Sequence, residues 1–119
     1  MGELDIKEWI EQAEEDLGTA EYNLKGERYN ATVFYSQQAA EKLLKASYIK
    51  KFGKLLKIHD VALLAHTLGA PENIIDIQKL STYYVTSRYP ASSDKIKEED
   101  AEDALEMARK VIEWARERM

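Results

Sequence analysis

The sequence predicts an all-α protein, built as an up-and-down antiparallel bundle of four long helices and one short helix. Apolar residues recur at three- and four-residue steps through most of the chain, which is the spacing of amphipathic helices. Only two prolines and five glycines are available to interrupt them. Alternation with a period of two, typical of half-buried strands, does not occur over any useful length. Short connections between the helices favour antiparallel neighbours.

The first two predicted helices differ in how their apolar residues are distributed. The first has a single stripe and ends near Gly26; the stripe contains Ile6, Trp9, Ile10, Ala13, Leu17, Ala20 and Leu24. The second runs from Ala31 to Phe52 and stops at Gly53. At about 100° per residue its apolar side chains cover most of the circumference. We therefore expect it at the centre of the bundle or at a dimer seam.

Three further helices are predicted from shorter signals. A short helix is expected from His59 to Leu68. Pro71 suits the first turn of the next helix because its missing N–H is not needed there. Pro90 prevents that helix from continuing far beyond Arg88. Acidic residues 98–100 favour the N-terminus of the last helix, whose buried stripe is Ala101, Ala104, Leu105, Ala108, Ile112 and Ala115.

The length and composition of the chain narrow the class of protein to which it can belong. Its length of 119 residues predicts one domain, residues 1–119. The chain has no cysteine, which excludes disulfides, thiolate metal sites and cysteine nucleophiles and fits a reducing cytoplasm. No apolar run approaches the ~20 residues of a membrane span, so no membrane association is expected. Two histidines without a carboxylate at ligand spacing predict no metal, and nothing points to a cofactor.

The charge is distributed in blocks along the chain. Residues 1–24 carry −7, residues 25–57 carry +6 and residues 98–119 carry −4, within a net charge of −5. The overall acidity argues against a dedicated nucleic-acid binder, whereas the basic block can attract phosphate locally. The alternative is that acidic terminal helices simply pack beside a basic central helix.

Three segments, taken in order, resemble the HEPN family of small helical domains. They are FYSQQAAEKLLKA at residues 34–46, His59-Asp60 followed by leucines, and Arg88-Tyr89-Pro90 before the acidic helix. The resemblance implies a bundle of four to five helices that usually forms homodimers. It also implies a minimal nucleotidyltransferase partner, often in a toxin–antitoxin pair, and a nucleotide or RNA ligand. DNA is not among the expected ligands.

The resemblance does not extend to the ribonuclease motif of many HEPN members, which is Arg, four to six residues, then His. In those members His and Arg of both subunits meet at the dimer cleft, where they activate a ribose 2′-hydroxyl and stabilise phosphate charge. Here the residues at the histidine positions after Arg88 are Ser93, Asp94 and Lys95. No catalytic residue is therefore assigned. A divergent ribonuclease using Arg88 with His59 or a tyrosine, and a purely structural partner-binding bundle, are the alternatives.

Arg88 is the leading candidate for ligand binding. Its guanidinium can grip phosphate bidentately while Tyr84 or Tyr89 stacks on a base. The alternative is that Arg88 fixes the Pro90 loop through a cation–π or carbonyl contact.

The other ligand-binding candidates lie on the central helix and at the start of the short helix: Gln38, Glu41, Lys42, Lys45, His59 and Asp60. The first four share one polar arc, which is either a wet strip or part of a functional groove. Glu41 and Lys45 are also spaced for an i,i+4 ion pair. If that pair lies buried at a dimer seam, it specifies the register in which the two subunits pack. Asp60 or His59 alternatively caps the short helix. His66 is expected to be a partly buried packing residue.

Overall fold

Five α-helices make up most of the protein, whose computed structural model describes residues 4–71, 77–88 and 95–119. They are α1 (Ile6–Lys25), α2 (Tyr29–Phe52), α3 (Val61–Thr67), α4 (Ile77–Arg88) and α5 (Glu98–Glu117). No strand occurs in the described ranges. The predicted all-α architecture, four long helices and a short one, is confirmed. Within the same ranges, no helix is both long enough and apolar enough to cross a bilayer.

Local signals fix the ends of the helices. The Asp5 carboxylate accepts a 3.2 Å hydrogen bond from the Glu8 backbone N–H at the start of α1. Helix α2 ends at Gly53, whose φ of 70° is a left-handed conformation that glycine adopts without a Cβ clash. At the start of α5 the Asp100 carboxylate accepts a 3.0 Å hydrogen bond from the Lys97 backbone N–H. These contacts satisfy backbone groups that have no partner within the helices.

The start of the fourth predicted helix falls partly outside the described residues. Pro71 is described and is not helical, residues 72–76 lie outside the description, and α4 runs from Ile77. Its C-terminal end at Arg88 is where the sequence predicts it. The residues after it, 89–94, are also outside the described ranges.

Helix α2 lies at the centre of the bundle. It packs against each of the other four helices, most extensively against α1 and next against α5. Fourteen of its 24 residues are buried within a single chain, and Val33, Leu43 and Leu44 are completely inaccessible. The predicted central position is therefore confirmed. Because one chain already covers α2, its apolar circumference does not by itself require a second subunit.

Contacts between α1 and α2 show that these helices are antiparallel. Nζ of Lys42 lies 2.6 Å from Oδ2 of Asp16. Three residues further along α2, Nζ of Lys45 lies 5.8 Å from the centroid of the Trp9 ring. A later residue of α2 thus faces an earlier residue of α1.

Helix α5 is also antiparallel to α1. Arg109 pairs with Glu21 at 3.4 Å, and Arg116 pairs with Glu14. Since both α2 and α5 oppose α1, they run parallel to each other. Their C-terminal ends therefore lie at the same end of the bundle as the N-terminus of α1.

Candidate functional site

A buried carboxylate on α2 holds together two other predicted site residues. Oε2 of Glu41 lies 3.0 Å from Nζ of Lys45 and 2.9 Å from Nδ1 of His59. Glu41 is 5% exposed and Lys45 is 4% exposed. Lys45 also lies over the ring of Trp9, a cation–π contact that covers its ammonium group from the side of α1. The predicted i,i+4 pair of Glu41 and Lys45 is thus present, and it is buried inside one chain.

The contact with Glu41 orients the His59 ring. Nδ1 of His59 lies 2.9 Å from Oε2 of Glu41 and 3.4 Å from Nζ of Lys45, and it donates to the carboxylate in the tautomer that carries the proton on Nδ1. In the neutral ring the other nitrogen, Nε2, then has a free lone pair. The His59 side chain is 82% exposed, so that lone pair is accessible to solvent and to a ligand. This arrangement can transfer a proton or accept a hydrogen bond at the protein surface.

Asp60 has a different role from its neighbour. It is the N-cap residue of α3, and its Oδ1 accepts a 3.2 Å hydrogen bond from the Leu63 backbone N–H. Of the two alternatives for this pair, the capping interpretation thus fits Asp60, whereas His59 turns towards Glu41. His66 was expected to be partly buried, and this prediction is wrong: the residue is exposed. The α3 residues that face the core are instead Val61, Leu64 and Ala65.

The polar arc of α2 is not a wet strip. Glu41 and Lys45 are buried, and Gln38 and Lys42 are half-buried. Lys42 donates to Asp16 at 2.6 Å and lies 3.4 Å from Oε1 of Gln12, both on α1. The arc faces α1 and the connector before α3, which supply carboxylate, imidazole and aromatic partners. A ligand for Lys42 or Lys45 would have to compete with these internal partners.

Tyr84 lies at a distance from that cluster. Its ring stacks on the ring of Phe34, with centroids 5.7 Å apart and an interplanar angle of 24°. Phe34 precedes Lys45 by eleven residues on α2, which is about 16 Å along the helix axis. Arg88 ends α4 one turn beyond Tyr84, but its side chain, like all of Tyr89, lies outside the described residues. Within one chain, Tyr84 is therefore separated from His59 and Lys45.

A second polar contact joins α4 to α5. The Tyr83 hydroxyl donates to Oδ2 of Asp103 at 3.0 Å, and Nζ of Lys79 lies 3.0 Å from the same oxygen. Burial raises the pKa of the Tyr83 hydroxyl above its ordinary value, and the contact with Asp103 adds to the effect. The hydrogen bond to Asp103 likewise raises the pKa of Lys79. This contact holds α4, and with it Tyr84, in place.

The end of α2 and the connector that follows carry exposed basic residues that were not singled out as site candidates from the sequence. Lys50, Lys51, Lys54 and Lys57 are all exposed. The signal was available as a run of lysines around an aromatic residue, Phe52. In the described residues, no three His, Asp or Glu side chains lie together as a metal-binding group.

These features define a small all-α domain with a buried charged cluster on its central helix and an exposed histidine at the edge of that cluster. The family profile described as HEPN domain matches residues 6–118, nearly the whole chain. The protein belongs to the HEPN family, which confirms the resemblance in its sequence.

Three known proteins are similar to this chain over most of its length. It is 31% identical to a protein of Methanocaldococcus jannaschii named "Putative toxin MJ1304", over 90% of this chain and 83% of the relative. The crystal structure of TT1696 from Thermus thermophilus superposes with a TM-score of 0.86 at 28% identity, covering 96% of this chain and 98% of that one. The crystal structure of ST0689, an archaeal HEPN homologue, has a TM-score of 0.76 at 24% identity, covering 95% and 96% respectively. The last similarity concerns the fold alone.

Proposed function

We propose that this protein is a cytoplasmic, homodimeric HEPN module that binds a nucleotide or RNA and acts with a minimal nucleotidyltransferase in a toxin–antitoxin pair. The observation that carries the proposal is the similarity over nearly the full chain to the HEPN family, with a relative that is named a toxin. A toxin needs a partner that restrains it. Arg88 with Tyr84 and Tyr89 is the proposed nucleotide-binding group, because guanidinium and aromatic rings suit phosphate and base.

Exposed apolar side chains support the homodimer. Val85 is 54% exposed and Leu63 48%. They lie on α4 and α3, two helices that pack against each other. Apolar side chains of this size at the surface favour association with another protein surface, and two-fold dimers are the commonest oligomers. Sedimentation at micromolar concentration is expected to give about twice the 13.7 kDa chain mass; a clean monomer would contradict the dimer.

The binding proposal is tested by titration. The purified protein is titrated with ATP and with a short fluorescent RNA, alone and together with any nucleotidyltransferase encoded beside it. ATP binding that weakens in the Arg88→Ala variant supports the proposed nucleotide-binding group, and RNA binding by the wild type supports the RNA claim. An absence of binding in every combination overturns the nucleotide and RNA claim, and leaves the protein as a structural partner-binding bundle.

One specific observation favours a second candidate function, an endoribonuclease. In the tautomer whose Nδ1 donates to Glu41, Nε2 of His59 is free to act as a general base. In such a reaction Nε2 removes the proton of a ribose 2′-hydroxyl, and the oxygen attacks the adjacent phosphorus. The bond from phosphorus to the 5′-oxygen breaks, and that oxygen takes a proton from the imidazolium. The products are a 2′,3′-cyclic phosphate and a 5′-hydroxyl.

The chain provides its own control for this test, because it contains two histidines and both are exposed. Structured RNA is incubated with the wild type, with His59→Gln and with His66→Gln. The ribonuclease hypothesis requires that His59→Gln abolishes cleavage while His66→Gln retains it. Equal cleavage by all three proteins would identify a contaminating nuclease.

A further inference from the structure

The eight basic residues of the basic block fall into three groups in the structure. Lys25 and Arg28 are exposed where α1 ends and α2 begins. Lys42 and Lys45 lie along α2 and have carboxylate partners, Asp16 and Glu41. Lys50, Lys51, Lys54 and Lys57 lie at the C-terminal end of α2 and on the connector to α3, and all four are exposed. Four of the block's six exposed basic residues are therefore at this one end of α2.

Three of these end lysines are not neutralised by neighbouring acids. Among the described residues, no ion pair involves Lys50, Lys51 or Lys54. Elsewhere on the surface the arginines of α5 pair with carboxylates, as Arg109 does with Glu21. The favourable position of cations at a helix C-terminus accounts for Lys50 and Lys51, which lie in the last turn of α2. It does not account for Lys54, which follows Gly53 outside the helix.

An exposed aromatic ring lies among these lysines. Phe52 is 45% exposed, and its ring packs against Tyr48 with centroids 4.5 Å apart. Nζ of Lys51 lies 5.4 Å from the centroid of the Phe52 ring. A ring that is supported by a buried neighbour and flanked by cations matches the surfaces that bind single-stranded nucleic acid, where bases stack on aromatics and lysines follow the phosphates.

We propose that the C-terminal end of α2 and its connector bind single-stranded RNA, with Lys50, Lys51, Lys54 and Lys57 contacting phosphates and Phe52 stacking on a base. This proposal rests on the RNA binding proposed above, and it names the surface to which the RNA binds. RNA that is recognised through an exposed ring has unpaired bases, because a base inside a duplex is already stacked on both faces. The ligand is therefore a single strand, a loop or an overhang rather than a continuous duplex.

This surface is separate from the Tyr84 ring. Phe34, the stacking partner of Tyr84, precedes Phe52 by eighteen residues on α2, or about 27 Å along the helix axis. The exposed His59 ring lies on the connector side, two residues after Lys57 in the chain. A single protein chain thus has Tyr84 near one end of α2 and the proposed RNA surface at the other.

Two variants with the same change in net charge test the proposal. In the surface variant Lys50, Lys51, Lys54 and Lys57 are replaced by Gln. In the control variant the exposed lysines 25, 95, 97 and 110, none of which is at the C-terminal end of α2, are replaced by Gln. Binding of a fluorescent single-stranded RNA is measured as a function of salt for both variants and for Phe52→Leu, after melting curves establish that all are folded.

The surface variant is expected to bind the RNA about tenfold more weakly or worse. Its slope of log K against log salt is expected to become shallower by about 3, since each of the four lost phosphate contacts contributes ~0.7. The control variant is expected to remain near the wild type.

Phe52→Leu is expected to weaken single-stranded binding about fivefold or more, and to leave binding of a blunt duplex unchanged. Equal losses in the two lysine variants, or no effect of Phe52→Leu, would overturn this surface while leaving RNA binding itself intact. A wild-type protein that binds no RNA would instead overturn the proposed function.

Discussion

Glu41 and Lys45, one turn apart on α2, form a 3.0 Å ion pair in which neither side chain is more than 7% exposed. Burying two charges costs solvation energy that their attraction only partly offsets, so such a pair contributes little net stability. Breaking it is costly, however, because the remaining charge stays buried without a partner. The pair therefore constrains substitutions at both positions together.

Glu41→Leu is expected to reduce the free energy of unfolding by about 3–5 kcal/mol, because it leaves the Lys45 ammonium buried and unpaired. Adding Lys45→Met to that variant is expected to recover most of the loss, since the charge is then removed as well. Urea unfolding of both single variants and the double variant measures the coupling. A double variant as unstable as Glu41→Leu would show that the ion pair is not the source of the loss.

Asp60→Ala is expected to reduce the free energy of unfolding by about 1 kcal/mol, the usual cost of losing an N-cap. Asp60→Asn retains the acceptor oxygen and is expected to be close to the wild type. Thermal melts of the two variants, with RNA titrations of each, separate a capping role from a ligand-binding role. If Asp60→Asn loses RNA binding without losing stability, Asp60 belongs to the binding site instead.

Alkaline pH is expected to weaken the contact between α4 and α5. The folded state holds the proton of the Tyr83 hydroxyl more tightly than the unfolded chain does, because burial and Asp103 raise its pKa. The resulting stability is complete below the ordinary tyrosine value of about 10 and is lost as the pH rises through the higher folded value. Lys79, whose pKa is also raised by Asp103, acts in the same direction.

Melting temperatures above pH ~10 are therefore expected to fall less steeply in Tyr83→Phe than in the wild type. Tyr22, which is 77% exposed, provides the matched control: Tyr22→Phe is expected to follow the wild-type curve. Identical curves for all three proteins would rule out a contribution from the Tyr83 proton.

Arg88→Ala is expected to weaken anion binding while changing the free energy of unfolding by only about 0.5 kcal/mol, as for a surface residue away from structural contacts. Arg88→Lys keeps the charge but loses the bidentate geometry, so its anion binding is expected to be intermediate. A loss of about 1–3 kcal/mol in the melt, with unchanged anion binding, would instead identify Arg88 as a clamp on the following loop. One melt and one titration for each variant distinguish the two roles.

The helices could be predicted from the sequence because their signals are local. The stripe of α1, the glycine after α2 and the acids that begin α5 each act within a few residues. The candidate site depends on contacts between distant residues. His59 contacts Glu41, eighteen positions away in the sequence, and Asp16 contacts Lys42, twenty-six positions away. The periodicity of a single helix cannot indicate either contact. For that reason the sequence could not show that neighbouring elements cover Glu41 and Lys45.

At His66, by contrast, the local sequence pattern predicts the wrong environment. It lies among apolar residues of a short helix, so burial was expected. A helix of seven residues has few positions that face the core, however, and those are taken by Val61, Leu64 and Ala65. Sequence neighbours indicate that a helix is amphipathic, but the face that packs depends on where α2 and α4 lie.

The central position of α2 has a consequence for how the domain opens. Because this helix touches each of the other four, none of its buried turns can lose its hydrogen bonds unless most of the molecule separates at the same time. Its amide protons, around Leu43 and Leu44 in particular, are therefore expected to exchange with solvent only through global unfolding. The seven residues of α3 are expected to open locally, so the proposed RNA surface and His59 lie beside a helix that we expect to exchange faster than α2.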